Sequence, residues 1–307
     1  MFVTLTLNPG IDQTITVNPP LSIGSIYAVT GETRTPGGKG VNVAKMIAAN
    51  GKAVTAAGLL GKNELPLYKD TLGAAGVNCR FMTVPFATRT NTMLTDGAGR
   101  ELKLNRPGFP DLHFDEAELF RYAVSLTDTV VVMSGSLPVR FPADTYARLI
   151  RVFRENGCVT VLDTSGPALA AGLVERPDII KPNRHELEGV LARRLESAEA
   201  IRAVLRDLMS IHEAVVVSDG AAGAWFAGRG TILFAAAPEV PQVDTTGAGD
   251  TLLGQFCADY FPARVLTSEI AARAVAAGAA AVEQRGTPVI GIQRVHALAA
   301  TVKVSAA

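Results

Sequence analysis

The residues best suited to chemistry lie in Val243-Asp244-Thr245-Thr246-Gly247-Ala248-Gly249-Asp250-Thr251, between a Pro-rich stretch, PEVPQV, and a helical pattern, TLLGQFCADY. Glycines at 247 and 249 let the backbone turn tightly and leave bare N–H groups at a helix N-terminus. Those donors and the helix dipole together make an anion site. Asp250, on the first turn, could take a proton from an attacking hydroxyl while the amides neutralise a transferring phosphoryl group. Taken alone, the segment serves equally well as an ordinary helix start with a favourable acid. Its meaning depends on the rest of the chain.

A second glycine cluster, Pro36-Gly37-Gly38-Lys39-Gly40-Val41-Asn42-Val43-Ala44, opens another helix. Its glycines allow close backbone approach to a small ligand, and Lys39 and Asn42 add a charge and an amide near the helix start. It is neither GxxxxGK[ST] nor a strand-first GxGxxG, which disfavours a Walker-type nucleotide loop and a dinucleotide oxidoreductase. Asp12, in Leu5-Thr6-Leu7-Asn8-Pro9-Gly10-Ile11-Asp12, falls just past the first strand. There it could accept bonds from two sugar hydroxyls, or simply cap a turn.

The elements that must position these groups alternate. Apolar strand-like runs occur at Phe2–Leu7, Ala53–Gly58, Thr129–Met133, Val159–Leu162, Asp178–Ile180 and Ala214–Val217. Helical patterns lie at Val41–Asn50, Glu64–Ala75, Pro142–Glu155, His185–Leu191 and Ala198–Met209, with Gly51, Gly76 and Gly157 placed to cap three of them. Apolar strands separated by helices predict an α/β fold with a mostly parallel sheet covered on both faces. Two stretches, about 13–35 and 86–106, break the rhythm: one alternates apolar and polar residues, the other reads RTNTML, a DGAG turn, RELKLN. They predict a small antiparallel sheet set as a lid over a cleft, within one domain spanning 1–307; an extension of the main sheet's edge is the alternative.

Composition narrows the classes. Lys+Arg and Asp+Glu number 29 each, so no global field draws nucleic acid or an anionic membrane. Cys79, Cys158 and Cys257 are isolated, odd in number and best read as small buried residues. His113, His185, His212 and His296 match no catalytic motif, and Trp225 is expected in the core. The N-terminus reads as a strand rather than a signal, and the Ala-rich run from Ala271 to Val282 is too short to cross a membrane, so a cytoplasmic location is expected.

NPxxD near the start, GGKGxNVA, SGSLP, KPNxxEL and DTTGAGD occur in this order along the chain. Jointly they resemble the ribokinase-type (PfkB) carbohydrate kinase family across essentially the whole length. The pieces Gly58-Leu59-Leu60-Gly61-Lys62, TRxN at Thr88–Asn91 and KPNRxELE at Lys181–Glu188 resemble its hexose-phosphate kinase subgroup. The resemblance implies a ribokinase-like three-layer sandwich and transfer of phosphoryl from ATP, with Mg²⁺, to a sugar phosphate.

It also implies roles. Asp250 is the base, and the amides of Gly247, Ala248 and Gly249 form the anion hole. Asp12, Gly37, Gly38 and Asn42 hold the sugar, with Ser136 on the sugar side. Lys39 and Arg89 lie near its resident phosphate, assisted by Lys103; Ser25-Ile26-Tyr27 supplies no charge where relatives carry one. Lys181 and Asn183 serve the nucleotide phosphates and Glu186 the magnesium, through water. Ser218, Asp219, Gly220, Ala221, Ala222 and Gly223 form a turn near the nucleotide, with Thr246 and Gly249 beside it. Fructose 1-phosphate is the expected acceptor, with tagatose 6-phosphate and fructose 6-phosphate as alternatives and a non-catalytic sugar-phosphate sensor as the rival class. A homodimer formed through the lid is expected from its open strand edges.

Overall fold

The structure is a computed structural model and describes residues 1–109 and 116–306. In chain order the elements begin β1 (Phe2–Thr6), β2 (Gly10–Val17), β3 (Val29–Gly37), α1 (Lys39–Ala49), β4 (Val54–Gly61), α2 (Leu65–Ala74), β5 (Asn78–Val84), β6 (Arg89–Thr95) and β7 (Glu101–Leu104). They continue with α3 (Glu116–Val124), β8 (Val130–Ser134), α4 (Thr145–Glu155), β9 (Val159–Asp163), α5 (Gly166–Val174), β10 (Ile179–Ile180), α6 (Arg184–Leu191), α7 (Ala198–Leu208) and β11 (Ala214–Ser218). The chain closes with β12 (Gly223–Gly228), β13 (Thr231–Ala236), α8 (Ala248–Ala263), α9 (Ser268–Val282), α10 (Ile292–Ala299) and β14 (Val304–Ala306).

Ten strands form the main sheet in the order β14-β13-β12-β11-β10-β9-β8-β1-β4-β5. From β11 to β5 every pairing is parallel, and β12, β13 and β14 add an antiparallel edge. Successive strand residues serve opposite faces: Val131 and Met133 pack among residues of α3 to α7, Val132 among those of α1, α2, α8 and α9. That alternation makes the three layers, because each face of a pleated strand must be buried against its own set of helices. The sheet order reverses direction at β1, which is flanked by β4 and β8, so a crevice opens beyond its carboxyl end.

Gly51, Gly76 and Gly157 all adopt positive φ after their helices, as their placement predicts. Sequence reading passes over β5, an edge strand in which only Met82 and Val84 are buried, and over α3, α5, α10 and the three antiparallel edge strands. Cys79 lies on β5 and is only half-buried, unlike Cys158 and Cys257. Trp225 is in the core and His212 is buried, with its Nδ1 2.6 Å from the Pro177 carbonyl; His113 lies outside the described residues.

The small sheet is separate from the main one, in the order β3-β2-β6-β7. Its two hairpin pairings are antiparallel, and they meet through a parallel β2–β6 pairing that alternation alone does not reveal. The DGAG turn lies between β6 and β7, with Gly97 and Gly99 at positive φ and the Asp96 carboxylate accepting the Ala98 and Arg100 amides. Asp12 belongs to this sheet rather than capping the turn after β1: it pairs in register with Thr35 and Asn91. Among the described residues no helix is long and apolar enough to cross a membrane.

Candidate active site

Helix α8 begins at Gly247, in the left-handed region at φ 77°, and no side chain caps it. Its first-turn amides have no side-chain partner, though that of Ala248 reaches the Thr245 carbonyl at 3.4 Å. Asp250 on that turn is buried, and Asn42 of α1 donates to its Oδ2 at 2.9 Å. Burial pushes the Asp250 carboxyl up to about 6, with Lys39, Asn42 and Lys181 restraining the shift and the nearby Asp163 adding to it. A β-carbon at Gly249 would sit 3.5 Å from Lys181 Nζ, so this amine lies beside the α8 backbone.

Asp163, to which sequence reading assigns no role, is the hub of these charges. It ends β9, is fully buried, and accepts Ser134 Oγ at 2.7 Å from the end of β8. Lys181 Nζ lies 3.1 Å and Lys39 Nζ 3.3 Å from its Oδ1. Burial alone would raise the Asp163 carboxyl, yet the two ammonium groups hold it below the usual carboxylate range. Asp163 in turn pushes the Lys39 amine up against the cost of burial, with Asp250 and Glu186 contributing. Lys39 is thus a cation held by Asp163 within the influence of Asp250.

A second group of side chains lines the small-sheet side. Asn91 donates to Asp12 Oδ1 at 3.0 Å across the parallel pairing, and Thr287 Oγ1 donates to Oδ2 at 3.4 Å. Burial raises the Asp12 carboxyl, which Asn91, Lys45, Arg89 and Thr287 partly offset. Lys45 is buried without a carboxylate in ion-pair distance among the described residues; it donates to the carbonyls of Pro36 and Thr287, each at 2.9 Å. Burial pushes its amine down to about 8, with Asp12 and Asp250 opposing. The amide oxygens of Asn8, Asn42 and Asn91 are buried with no donor among the described residues, which suits a ligand that brings hydroxyl groups.

The glycines before α1 also make room for the protein's own side chains. A β-carbon at Gly37 would fall 2.3 Å from Asp12 Oδ2, and one at Gly38 3.0 Å from Thr6 Cγ2. The space they leave is taken by the protein's own side chains, above all the Asp12 carboxylate. Ser136 accepts from Asn8 Nδ2 at 3.0 Å, which places it against the turn after β1.

Of the three cations expected at a phosphate, two are occupied. Lys39 is held by Asp163, and Lys103 Nζ donates to Asp244 Oδ1 at 3.0 Å. Among the described residues Arg89 binds only backbone carbonyls, those of Pro9, Arg106 and Asn8, at 3.0 to 3.2 Å. Its charge is matched by no carboxylate in ion-pair distance among the described residues.

At the other end, Asn183 and Glu186 form a capping box on α6: Asn183 Oδ1 accepts the Glu186 amide and Glu186 Oε2 the Asn183 amide, both at 2.8 Å. Asn183 bridges to Ser218, so Lys181 and the turn from Ser218 to Gly223 lie at neighbouring strand ends. Asp219 is 3.4 Å from Arg184 Nη1. Gly220 to Ala222 make one short helical turn, and a β-carbon at Gly223 would meet the Ala235 carbonyl at 2.1 Å. No cluster of three or more His, Cys, Asp or Glu side chains forms a metal cage among the described residues. A cage is not what Mg²⁺ on a nucleotide needs; one or two carboxylates with water and phosphates suffice, and Glu186 fits that set.

The expected residues therefore fall into a chain of neighbours: Arg89 and Asp12, then Asn42, Asp250, Lys39 and Gly249, then Lys181 and Asn183, then Ser218 to Gly223. Asp163, Lys45, Asn8, Asn91 and Asp244 join them unassigned by sequence reading. For Asn8, Asn91 and Asp244 a signal was present, since all three stand in motifs noted above, NPxxD, TRxN and DTTGAGD.

Comparison with known proteins gives the family and the fold. The model of the pfkB family of carbohydrate kinases matches residues 6–290. A 1-phosphofructokinase of Rhodobacter capsulatus is 37% identical over 258 residues, 81% of this chain and 80% of that protein. One of Vibrio cholerae is 33% identical over 99% of this chain and 96% of its own. Among solved structures, phosphofructokinase-2 of Escherichia coli in complex with substrates and products superposes with a TM-score of 0.90 at 26% identity, covering 98% of each chain. The buried acid at an uncapped helix start and the match over most of the length lead to one conclusion: this chain is a member of the pfkB family of carbohydrate kinases.

Proposed function

We propose that the protein transfers the γ-phosphoryl group of ATP to the free primary hydroxyl of fructose 1-phosphate, giving ADP and fructose 1,6-bisphosphate. The observation that carries this is the Asp250 carboxylate, buried and oriented by Asn42 at the open N-terminus of α8. The acceptor hydroxyl gives its proton to Asp250 as its oxygen attacks the γ-phosphorus, and the bond to the ADP oxygen breaks. The amides of Gly247, Ala248 and Gly249, with Lys181, take up charge on the transferring group. A carboxyl at about 6 is ionised at neutral pH yet more basic than an ordinary aspartate, which suits a general base.

Asp12, Asn42 and the strand end at Gly37 and Gly38 hold the sugar, with Ser136 beside them. The unmatched guanidinium of Arg89 takes the resident phosphate, for which its planar fork is suited. The relatives named 1-phosphofructokinase support this acceptor. Asn183, Thr246 and the turn from Ser218 to Gly223 receive the nucleotide. Mg²⁺, when bound, would neutralise charge on the nucleotide phosphates, and Glu186 would be the carboxylate that holds it, through water.

The chain works as one domain in which the segments about 13–35 and 86–106 act as a lid that excludes water. Exposed Val29, Leu102 and Leu104 on that sheet, at 58%, 39% and 55%, are the apolar surface through which two copies pair. Light scattering at micromolar protein should give a dimer mass, and a monomer mass would remove this pairing.

The deciding experiment measures ADP release with ATP and Mg²⁺ over fructose 1-phosphate, fructose 6-phosphate, tagatose 6-phosphate and free sugars. Highest kcat/KM with fructose 1-phosphate is expected. Preference for another sugar phosphate would reassign the acceptor, and no acceptor-dependent release would leave a sensor.

A further inference from the structure

Asp244 lies just before α8, and its side chain is almost fully buried. Its Oδ1 accepts the Thr246 amide at 3.0 Å and the Thr246 hydroxyl at 2.8 Å, which sets the turn leading into Gly247. Its Oδ2 accepts the Gly286 amide at 3.0 Å. The fourth donor comes from the small sheet: Lys103 of β7, at 3.0 Å from Oδ1. One carboxylate thus gathers the anion-hole turn, the segment after α9 and a lid strand.

The segment after α9 meets the same sheet independently. Arg285 Nη1 donates to Thr95 Oγ1 of β6 at 3.4 Å, and Thr287 donates to Asp12 of β2. Thr287 also packs over the anion hole, since a β-carbon at Gly247 would lie 2.9 Å from its Cγ2. Movement of the small sheet away from the body therefore withdraws Lys103 from Asp244 and pulls on the residues that brace Gly247.

We infer that the Lys103–Asp244 pair couples lid position to the anion hole, so that the amides are fully braced only when the lid is down over the sugar. Both are positioning residues, and the inference rests on the phosphoryl-transfer reading above. The chemistry gives the coupling a purpose. An anion hole assembled without an acceptor would serve water as well. A water oxygen would then attack the γ-phosphorus, pass its proton to Asp250 and release ADP and inorganic phosphate. Linking the hole to the lid suppresses that loss, because lid closure both excludes water and completes the donors.

The test uses the full chain as Lys103→Met and Lys103→Arg, substitutions on an exposed hairpin. ADP, fructose 1,6-bisphosphate and inorganic phosphate are measured in one reaction with ATP and fructose 1-phosphate. Lys103→Met should lower kcat for transfer roughly fivefold, the size of a half-exposed ion pair. The KM for fructose 1-phosphate should change little, while ADP released per bisphosphate formed rises above one to one. Lys103→Arg, which keeps the charge, should restore the ratio. A rise in the sugar-phosphate KM alone, with the ratio unchanged, would make Lys103 a phosphate ligand and overturn the coupling; wild-type behaviour in Lys103→Met would overturn it too. Wild-type protein that fails to release ADP in response to any sugar phosphate sinks the transfer reading itself, and this coupling with it.

Discussion

Helices α1 and α8 both open on glycine, at Gly38 with φ 121° and Gly247 with φ 77°, and neither has a side-chain cap. In sequence they look alike, a glycine pair followed by a polar residue. In space they differ. At α1 the missing side chains admit other parts of the protein, with the Asp12 carboxylate filling the place of a Gly37 β-carbon. At α8 the nearest neighbour of a Gly249 β-carbon is a lysine amine at ordinary contact distance. One glycine cluster admits the Asp12 carboxylate; the other, at Gly249, sets the backbone beside a lysine amine. By contrast α6, α7 and α9 spend Asn183, Ser197 and Thr267 on their own first-turn amides. A helix start that has used its donors on a cap offers fewer to an anion.

The largest expected effect lies at the open start. Asp250→Asn keeps the shape and can still meet the Asn42 amide, but it cannot accept a proton at neutral pH. Turnover should fall by about 10²–10⁴-fold while sugar-phosphate affinity, read by titration, stays near wild type. Near-normal turnover would remove Asp250 from the role of base.

Next, the two glycine clusters can be set against each other directly. Gly37→Ala drives a methyl into Asp12, and the overpacking should cost about 1–3 kcal/mol of stability, with a raised KM for sugar phosphate. Gly249→Ala has room and helical geometry, so thermal unfolding should leave stability unchanged or slightly higher, alanine being the better helix former by about 1 kcal/mol. Its cost should appear in turnover, by about an order of magnitude, less than a fully lost donor. If Gly249→Ala unfolded the protein and Gly37→Ala did not, the contrast drawn here would be inverted.

The smallest effect is a shift in a profile. A base must be unprotonated, so kcat should rise with pH through about 6 and level off above it, Asp250 being ionised on the plateau. Lys39 favours the ionised form of Asp250, so Lys39→Met should move that limb to higher pH. A limb that stayed in place would mean that Lys39 does not feel the base.

Much of the fold was legible because burial leaves a mark on each strand. The parallel strands are buried on both faces and read as continuous apolar runs, whereas β5, at the sheet's edge, is half-wet and its NCRFMTV offers no such run. The DGAG hairpin was legible for a local reason, since a turn needs residues that tolerate positive φ. The parallel pairing of β2 with β6 was not, because its partners are separated by more than seventy residues and nothing in either segment encodes the neighbour. Within the site the Asn183–Glu186 capping box is the opposite case, a local feature carried by the N-x-x-E spacing itself.

By itself the sequence determined the alternation of strands and helices, the place of Asp250 on a glycine-opened first turn, and the family to which its motifs belong. These are short-range properties, carried by periodicity, backbone freedom and residue order. Tertiary structure alone decided that Asp163 gathers Lys39 and Lys181, that Lys45 is buried between two carbonyls, and that Arg89 meets no carboxylate among the described residues while Lys103 pairs with Asp244. Charge pairing depends on distances between residues far apart in the chain, and those distances exist only once the sheet order brings the strand ends together.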